Sequence, residues 1–296
     1  QWPEDVRPYL GEGDEFHMNF HFPLMPRIFL ALARGDRAPI LEILARTPPI
    51  PETCQWATFL RNHDELTLEM VTEEERQCMW EVYAPEPRMR LNLGIRRRLA
   101  PLLDNDRDRI ELANALLCTL PGAPVVYYGD EIGMGDDIWL DDRDGGRTPM
   151  QWSAGGNAGF SEADAEALYS QPIDDEVYGY QRVNVEAQQA DSGSLLHRMR
   201  KMIGTRKAHR ALAQGDIQFL ETENRAILAF LRSGGGETIL AVHNLSADRA
   251  EIELDLAEYA GVEPSDLLDE GQLGTVGEAP YQLALERYGY RWFRLG

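Results

Sequence analysis

An apolar run, Trp56-Ala57-Thr58-Phe59-Leu60, ends abruptly on five consecutive polar side chains: Arg61, Asn62, His63, Asp64 and Glu65. An ionised carboxylate accepts hydrogen bonds from hydroxyl groups and offsets positive charge that develops beside it. The neighbouring imidazole of His63 can donate to the same polar ligand. Asp64 is therefore the leading functional candidate. A short apolar run that opens into polar residues reads as a buried strand whose carboxyl end meets a pocket, where a parallel barrel displays its chemistry. The plainer reading of the same residues is a solvated loop of mixed charge.

A second polar stretch, residues 141–152, is Asp-Asp-Arg-Asp-Gly-Gly-Arg-Thr-Pro-Met-Gln-Trp and contains Arg147. It lies inside residues 132–193, which are Gly-rich, acidic and without periodicity; structureless segments of this length in a compact domain are usually functional. The aspartates lack the EF-hand spacing and its closing Glu, so no calcium loop is expected there. His17 and His21 are four apart but fall on a strand pattern, which suits packing better than metal binding. Arg96-Arg97-Arg98 has the charge for a phosphate, yet in so acidic a chain it reads as a solvated loop or helix start.

The formal net charge of −21 over 296 residues argues against nucleic acid and anionic membrane as partners. A hydrophobic fraction of 43% with 27% charged residues describes a soluble globular protein. No apolar run approaches the roughly 18 residues of a membrane span. Cys54, Cys78 and Cys118 are odd in number and lack paired metal-ligand spacing, as expected of reduced thiols in a cytoplasmic protein. The chain opens Gln1-Trp2-Pro3 with no initiator Met and no signal-like segment, so a fragment or truncated chain is the expectation.

The elements that position these residues follow from pattern. Residues 1–15 read as a loop, and 17–22 alternate like a strand stopped by Pro23. Helical spacing covers 27–34 and 38–46, and Pro48, Pro49 and Pro51 break the chain before the strand at 55–60. Thr72 and Glu75 form a capping-box pair that starts a helix. Residues 109–120 are helical, 124–128 form a short apolar strand, and 195–209 form the last helix. Alternation of strand and helix predicts a parallel α/β sheet. From about residue 215, strand-like runs at 217–221, 225–232, 238–244, 250–256, 281–286 and 290–295 predict a small antiparallel sandwich.

These stretches resemble, along the whole chain, the carboxyl-terminal half of the trehalose synthases, the maltose α-glucosyltransferase (isomerase) group of the α-amylase superfamily, glycoside hydrolase family 13. Residues 1–5, 17–27, 59–70, 124–136, 147–152 and 179–187 carry the resemblance, as does the terminal sandwich. Arg-Thr-Pro-Met-Gln-Trp at 147–152 is shared with α-glucosidases and is only moderately specific. Phe-Leu-Arg-Asn-His-Asp-Glu-Leu-Thr-Leu-Glu at 59–69 and His-Met-Asn-Phe-His-Phe-Pro-Leu-Met-Pro-Arg at 17–27 are much more specific.

The resemblance implies an α/β plus all-β fold. Residues 1–212 would supply strands six to eight of a (β/α)8 TIM barrel with a long active-site loop, and 213–296 a carboxyl-terminal antiparallel β-sandwich. It makes Asp64 the transition-state stabiliser and His63 a ligand of the sugar hydroxyls, with Asn62 and Arg61 in support. Glu65 and Arg147 become candidates for a charged gate over the pocket; the plainer reading of Glu65 is a rim ion pair with Arg61 or another base. The Asp nucleophile and Glu acid/base of such enzymes would lie upstream of Gln1, as would the inserted domain that often holds calcium. No cofactor is expected in this chain itself. Maltose, trehalose and glucose are the expected small-molecule partners, and the resemblance allows a homo-oligomer and association with a maltokinase.

Retaining glycosidases need two carboxylates about 5–5.5 Å apart and pass through an oxocarbenium-like transition state. Trehalose formation adds a demand: released glucose must stay, rotate and attack again through its anomeric hydroxyl while water is kept out. Two other functions fit the same residues, an α-glucosidase or amylase-type hydrolase and a non-catalytic binding or interaction module of the same fold. The isolated chain, without nucleophile and acid/base, is expected to be inactive.

Overall fold

In the computed structural model, residues 1–269, 271 and 274–296 are described. The chain divides into two compact units, one of residues 1–58, 112–124 and 201–296, the other of residues 59–111 and 125–200.

Strands β1 (Met18–Phe20), β2 (Gln55–Phe59) and β5 (Ala123–Val125) form a three-stranded sheet in that order. β1 and β2 run parallel, with Met18 opposite Gln55 and Phe20 opposite Ala57. Parallel strands need a crossover connection, and helices Leu24–Arg34 and Ala38–Arg46 supply it. The first is buried along most of its length and ends at Gly35, whose φ of +58° closes the helix in the left-handed region. Where a loop was expected at the amino terminus, Pro3–Val6 and Arg7–Leu10 form two short helical turns, each with Pro near its start. The apolar run after Pro124 leaves strand geometry at Val125, short of the expected 128.

The carboxyl-terminal region is all β. β10 (Ser265–Asp266), β12 (Tyr290–Arg294), β8 (Glu237–Asn244), β7 (Ile227–Gly234) and β6 (Asp216–Leu220) make one sheet in that order. β11 (Tyr281–Leu285) pairs antiparallel with β9 (Ala250–Leu254) in a second sheet. Ile227, Leu240, Val242, Ile252, Leu254, Leu285 and Phe293 belong to one buried apolar cluster drawn from both sheets, which makes the pair a sandwich.

In the same unit two buried arginines answer the carbonyls at the end of helix Arg107–Thr119, groups that a helix cannot satisfy itself. Arg232 donates to Thr119 O at 2.5 Å, and Arg206 to Cys118 O at 2.6 Å and to Gly122 O. His243, fully buried, shares a 3.2 Å hydrogen bond with Thr119 Oγ1.

The other unit carries helix Glu73–Tyr83, whose capping box is complete: Thr72 Oγ1 accepts from Glu75 N and Glu75 returns the bond to Thr72 N. A small hairpin, β3 (Arg90–Leu91) with β4 (Gly94–Ile95), stands beside Leu66 through a backbone bridge to Ile95. Gly94 is required there, since a Cβ would come within 2.5 Å of Leu66 O. The long segment 132–193 contains only short helical turns and the helix Val185–Ala190. Among the described residues no helix is long and apolar enough to cross a membrane.

Candidate active site

The polar cluster after β2 folds on its own side chains. Asn62 Oδ1 accepts from Asp64 N at 2.9 Å, and Asp64 Oδ1 accepts from Glu65 N at 3.0 Å, turns that short polar side chains favour. Arg61 is buried and donates through Nε to Arg97 O at 2.5 Å and through Nη2 to Asp64 O at 2.8 Å. Arg147 Nε donates to His63 O at 2.8 Å. The backbone of the cluster is thus pinned from two sides, while the imidazole of His63 is exposed and the Asp64 side chain keeps 43% exposure.

The carboxylates are capped by a residue that sequence reasoning did not single out. Arg143 bonds to Asp64 Oδ1, reaches Glu65 Oε2 at 2.8 Å through Nη2, and pairs with Asp142 at 2.6 Å. Glu65 also accepts from Asn92 Nδ2 at 2.8 Å. The arginine that Glu65 meets is therefore Arg143; Arg147 instead meets the His63 carbonyl and Asp144, the latter at 4.0 Å. With Arg143 in place, the space lined by Asn62, His63, Asp64, Tyr127 and Arg143 has a volume of about 10 Å³, no more than a single water needs.

Asp64 is held well below the usual carboxylate range. The largest cause is its hydrogen bond with the Glu65 side chain; the bond to Arg143 and the Glu65 amide add to it, and partial burial opposes them. The Arg143 guanidinium is correspondingly pushed up, chiefly by Asp64.

Deeper in the same unit the arginine run that was expected to be solvated turns inward. Arg98 is 1% exposed, with Nη1 on Tyr128 O at 2.6 Å and 3.8 Å from Asp130, itself 3% exposed. The rings of Tyr127 and Tyr128 lie 4.8 and 4.6 Å from its guanidinium. Arg97 pairs with Asp136 at 2.8 Å, and Arg98 N donates to the other oxygen of that carboxylate at 2.5 Å. Burial pushes the Asp130 carboxyl up to about 7 against the pull of Arg98 and Arg61. It lowers Arg61 to about 10 and raises Tyr127. The acidic composition hid this cluster, because internal carboxylates, not solvent, receive its charge.

Two larger cavities border Arg147. One, of about 1230 Å³, is lined by Trp139, Asp144, Tyr169 and Tyr178 among others; the second, of about 580 Å³, by Tyr128, Trp152 and Phe160. Aromatic faces beside carboxylates suit sugar rings, which are apolar on their faces and polar at their edges. Among the described residues no three His, Cys, Asp or Glu side chains gather in a way that would hold a metal ion.

Residues 95–215 match the model of the α-amylase catalytic domain, and residues 217–292 that of the maltogenic amylase carboxyl-terminal domain. The chain is 56% identical over 302 aligned residues to trehalose synthase/amylase TreS of Mycobacterium tuberculosis, covering 100% of this chain and 50% of that protein. It is 52% identical to trehalose synthase of Thermus thermophilus over 99% of this chain and 30% of that protein. The α-amylase from H. orenii superposes with a TM-score of 0.70 at 20% identity, over 99% of this chain and 51% of that one. The chain spans about half the length of the Mycobacterium relative it matches. Its fold is the carboxyl-terminal part of a (β/α)8 barrel followed by an antiparallel β-sandwich. With consecutive matches to the catalytic and carboxyl-terminal domain models and identity above one half to these relatives along the whole chain, the chain belongs to the α-amylase superfamily.

Proposed function

We propose that this chain is part of a trehalose synthase, which interconverts maltose and trehalose by intramolecular glucosyl transfer with retention. The observation that carries the reading is identity above one half, along the whole chain, to two proteins named trehalose synthases. In it Asp64 is the transition-state stabiliser. Its charge grips ring hydroxyls more strongly as the sugar flattens toward an oxocarbenium ion. His63 offers its exposed imidazole to a neighbouring sugar oxygen. Asn62 and Arg147 hold the backbone that aims both groups, and Glu65 shares Arg143 with Asp64. The nucleophile and the acid/base come from the remainder of the barrel, so this chain alone forms no glycosyl intermediate.

Several further points belong to the same reading. The boundary between barrel and sandwich falls near residue 212, supported by family matches that stop at 215 and resume at 217. Free Cys54, Cys78 and Cys118 support a cytoplasmic setting. Glucose is the intermediate that must be retained, and a homo-oligomer and a maltokinase partner rest on family resemblance alone. A hydrolase is the second reading, favoured by the word amylase in the name of the Mycobacterium relative.

Maltose incubated with the full-length polypeptide that carries this chain is expected to yield trehalose as main product with little glucose. The chain alone is expected to yield neither. Glucose as main product would move the reading to a hydrolase, and turnover by the chain alone would overturn the missing-half account.

A further inference from the structure

Arg143 reaches Asp64 from a loop that holds its shape in an unusual way. Residues 137–145 close on themselves through Asp137 N to Gly145 O at 3.1 Å. Gly145 is obligatory at the closure, since a Cβ there would stand 1.9 Å from Asp137 O. Compact loops of this kind normally fill their centre with their own side chains. Here Trp139 is 69% exposed, and the backbone carbonyls of the loop turn instead to a guanidinium from the strand-end region, Arg96. Arg96 Nη1 donates to Leu140 O at 2.6 Å and Asp142 O at 2.5 Å, and Nη2 to Ile138 O at 3.0 Å. Its Nε is anchored on Arg88 O at 2.5 Å, and Arg88 Nη1 bonds to Trp139 O at 3.3 Å.

Three carbonyls of the loop thus converge on one side chain, immediately before Arg143. Asp142 occupies the left-handed region at φ +47°, a conformation that a non-Gly residue keeps only when its surroundings impose it. Two arginines hold it there, Arg96 on its carbonyl oxygen and Arg143 on its carboxylate.

From this geometry we propose that Arg96 is a positioning residue: its guanidinium is the template on which loop 137–145 folds, and through it Arg143 is delivered to Asp64 and Glu65. The proposal rests on the trehalose synthase reading for its kinetic consequence but not for its structural one. Lysine cannot replace Arg96, because one ammonium nitrogen cannot reach the Arg88, Ile138, Leu140 and Asp142 carbonyls that Nε, Nη1 and Nη2 of a planar fork divide among them. The loop would then sample open forms, Arg143 would cap the carboxylates only part of the time, and water would reach the glycosyl intermediate.

The test is a double-mutant cycle in the full-length polypeptide, with Arg96→Lys, Arg143→Ala and the pair. Arg96→Lys is expected to lower kcat/KM for maltose by about fivefold to tenfold and to raise the glucose share of product. Added to Arg143→Ala, it should change either quantity by less than about twofold, since both act through one contact. Multiplying effects, or an unchanged product share in the single variant, would overturn the proposal. Gly145→Ala opens the same loop from its other end and should reproduce Arg96→Lys if the latter fails to fold; normal partition in Gly145→Ala would count against the template. Hydrogen exchange separates the proposal from the function. Amides of residues 138–143 should exchange faster in Arg96→Lys whether or not maltose is converted, and unchanged protection would overturn it. Absence of trehalose from the unmodified protein would defeat the functional reading alone.

Discussion

Asp64 and Asp130 stand in the same unit, each facing arginine, and their settings drive them in opposite directions. Asp64 is 43% exposed and held ionised, first by its hydrogen bond with Glu65 and then by Arg143. Asp130 is 3% exposed, with Arg98 at 3.8 Å, and burial outweighs the arginines and pushes it up to about 7. An arginine neighbour does not by itself fix the charge of a carboxylate; the balance between desolvation and direct hydrogen bonding does. The difference sorts the two residues by role. In the proposed function, the group at the pocket, charged through the working pH range, is the one given to the oxocarbenium-like transition state. A group in the floor, poised near neutrality, serves the packing that carries the pocket.

The sharpest way to break that assignment is to remove each charge in turn. Asp64→Asn keeps shape but loses the ionic acceptor, and in the full-length polypeptide maltose turnover should fall by about two to four powers of ten, or about 3–5 kcal/mol of transition-state stabilisation. Near-normal turnover would put the working charge elsewhere. Arg143→Ala removes the cap and not the acceptor. Partly exposed ion pairs are worth about 1 kcal/mol, so turnover should change by no more than about tenfold while the glucose share rises. An unchanged glucose share would reduce Arg143 to a rim contact.

Asp130→Asn should leave maltose chemistry nearly intact and alter the pH dependence of stability. With a folded value of about 7 against an ordinary 3.8, the folded chain keeps a proton that the unfolded chain has released. That contribution is fully present below the ordinary value and is lost as pH rises toward 7. The substitution should flatten this slope, whose size is on the order of a few kcal/mol. His21 and His243, both lowered to about 4 by burial, act in the opposite sense and remove stability as pH falls from 6.5 toward 4. Urea denaturation at pH 4, 5.5 and 7 measures both slopes. An Asp130→Asn variant with the parental pH profile would show that Asp130 is ionised in the folded chain.

What the amino-acid sequence revealed follows the same divide between local and distant interactions. Ala250, Ile252 and Leu254 alternate with Glu251 and Glu253, and the strand they form has the matching buried and exposed faces. Thr72 and Glu75 announced a helix start through bonds that span three residues. The polar turn after Phe59 was legible because the apolar run before it ends so sharply. Arg143 was not, since it meets Asp64 across 79 residues and is one charge among many in an acidic segment. The inward turn of Arg97 and Arg98 was hidden for the same reason, as their partners Asp136 and Asp130 lie more than thirty positions on. Loop 137–145 left no periodic signal, because Arg96 binds its carbonyls, which every residue has.

The claim that Asp64 stands ionised beneath an arginine cap is tested most directly by following its carboxyl carbon by NMR through an acid titration, in the parent polypeptide and in Arg143→Ala. The parent is predicted to stay ionised through the usual carboxylate range, and the variant to titrate closer to the ordinary value of about 4. A parent carboxyl that titrates near 4, or a variant indistinguishable from the parent, would contradict it.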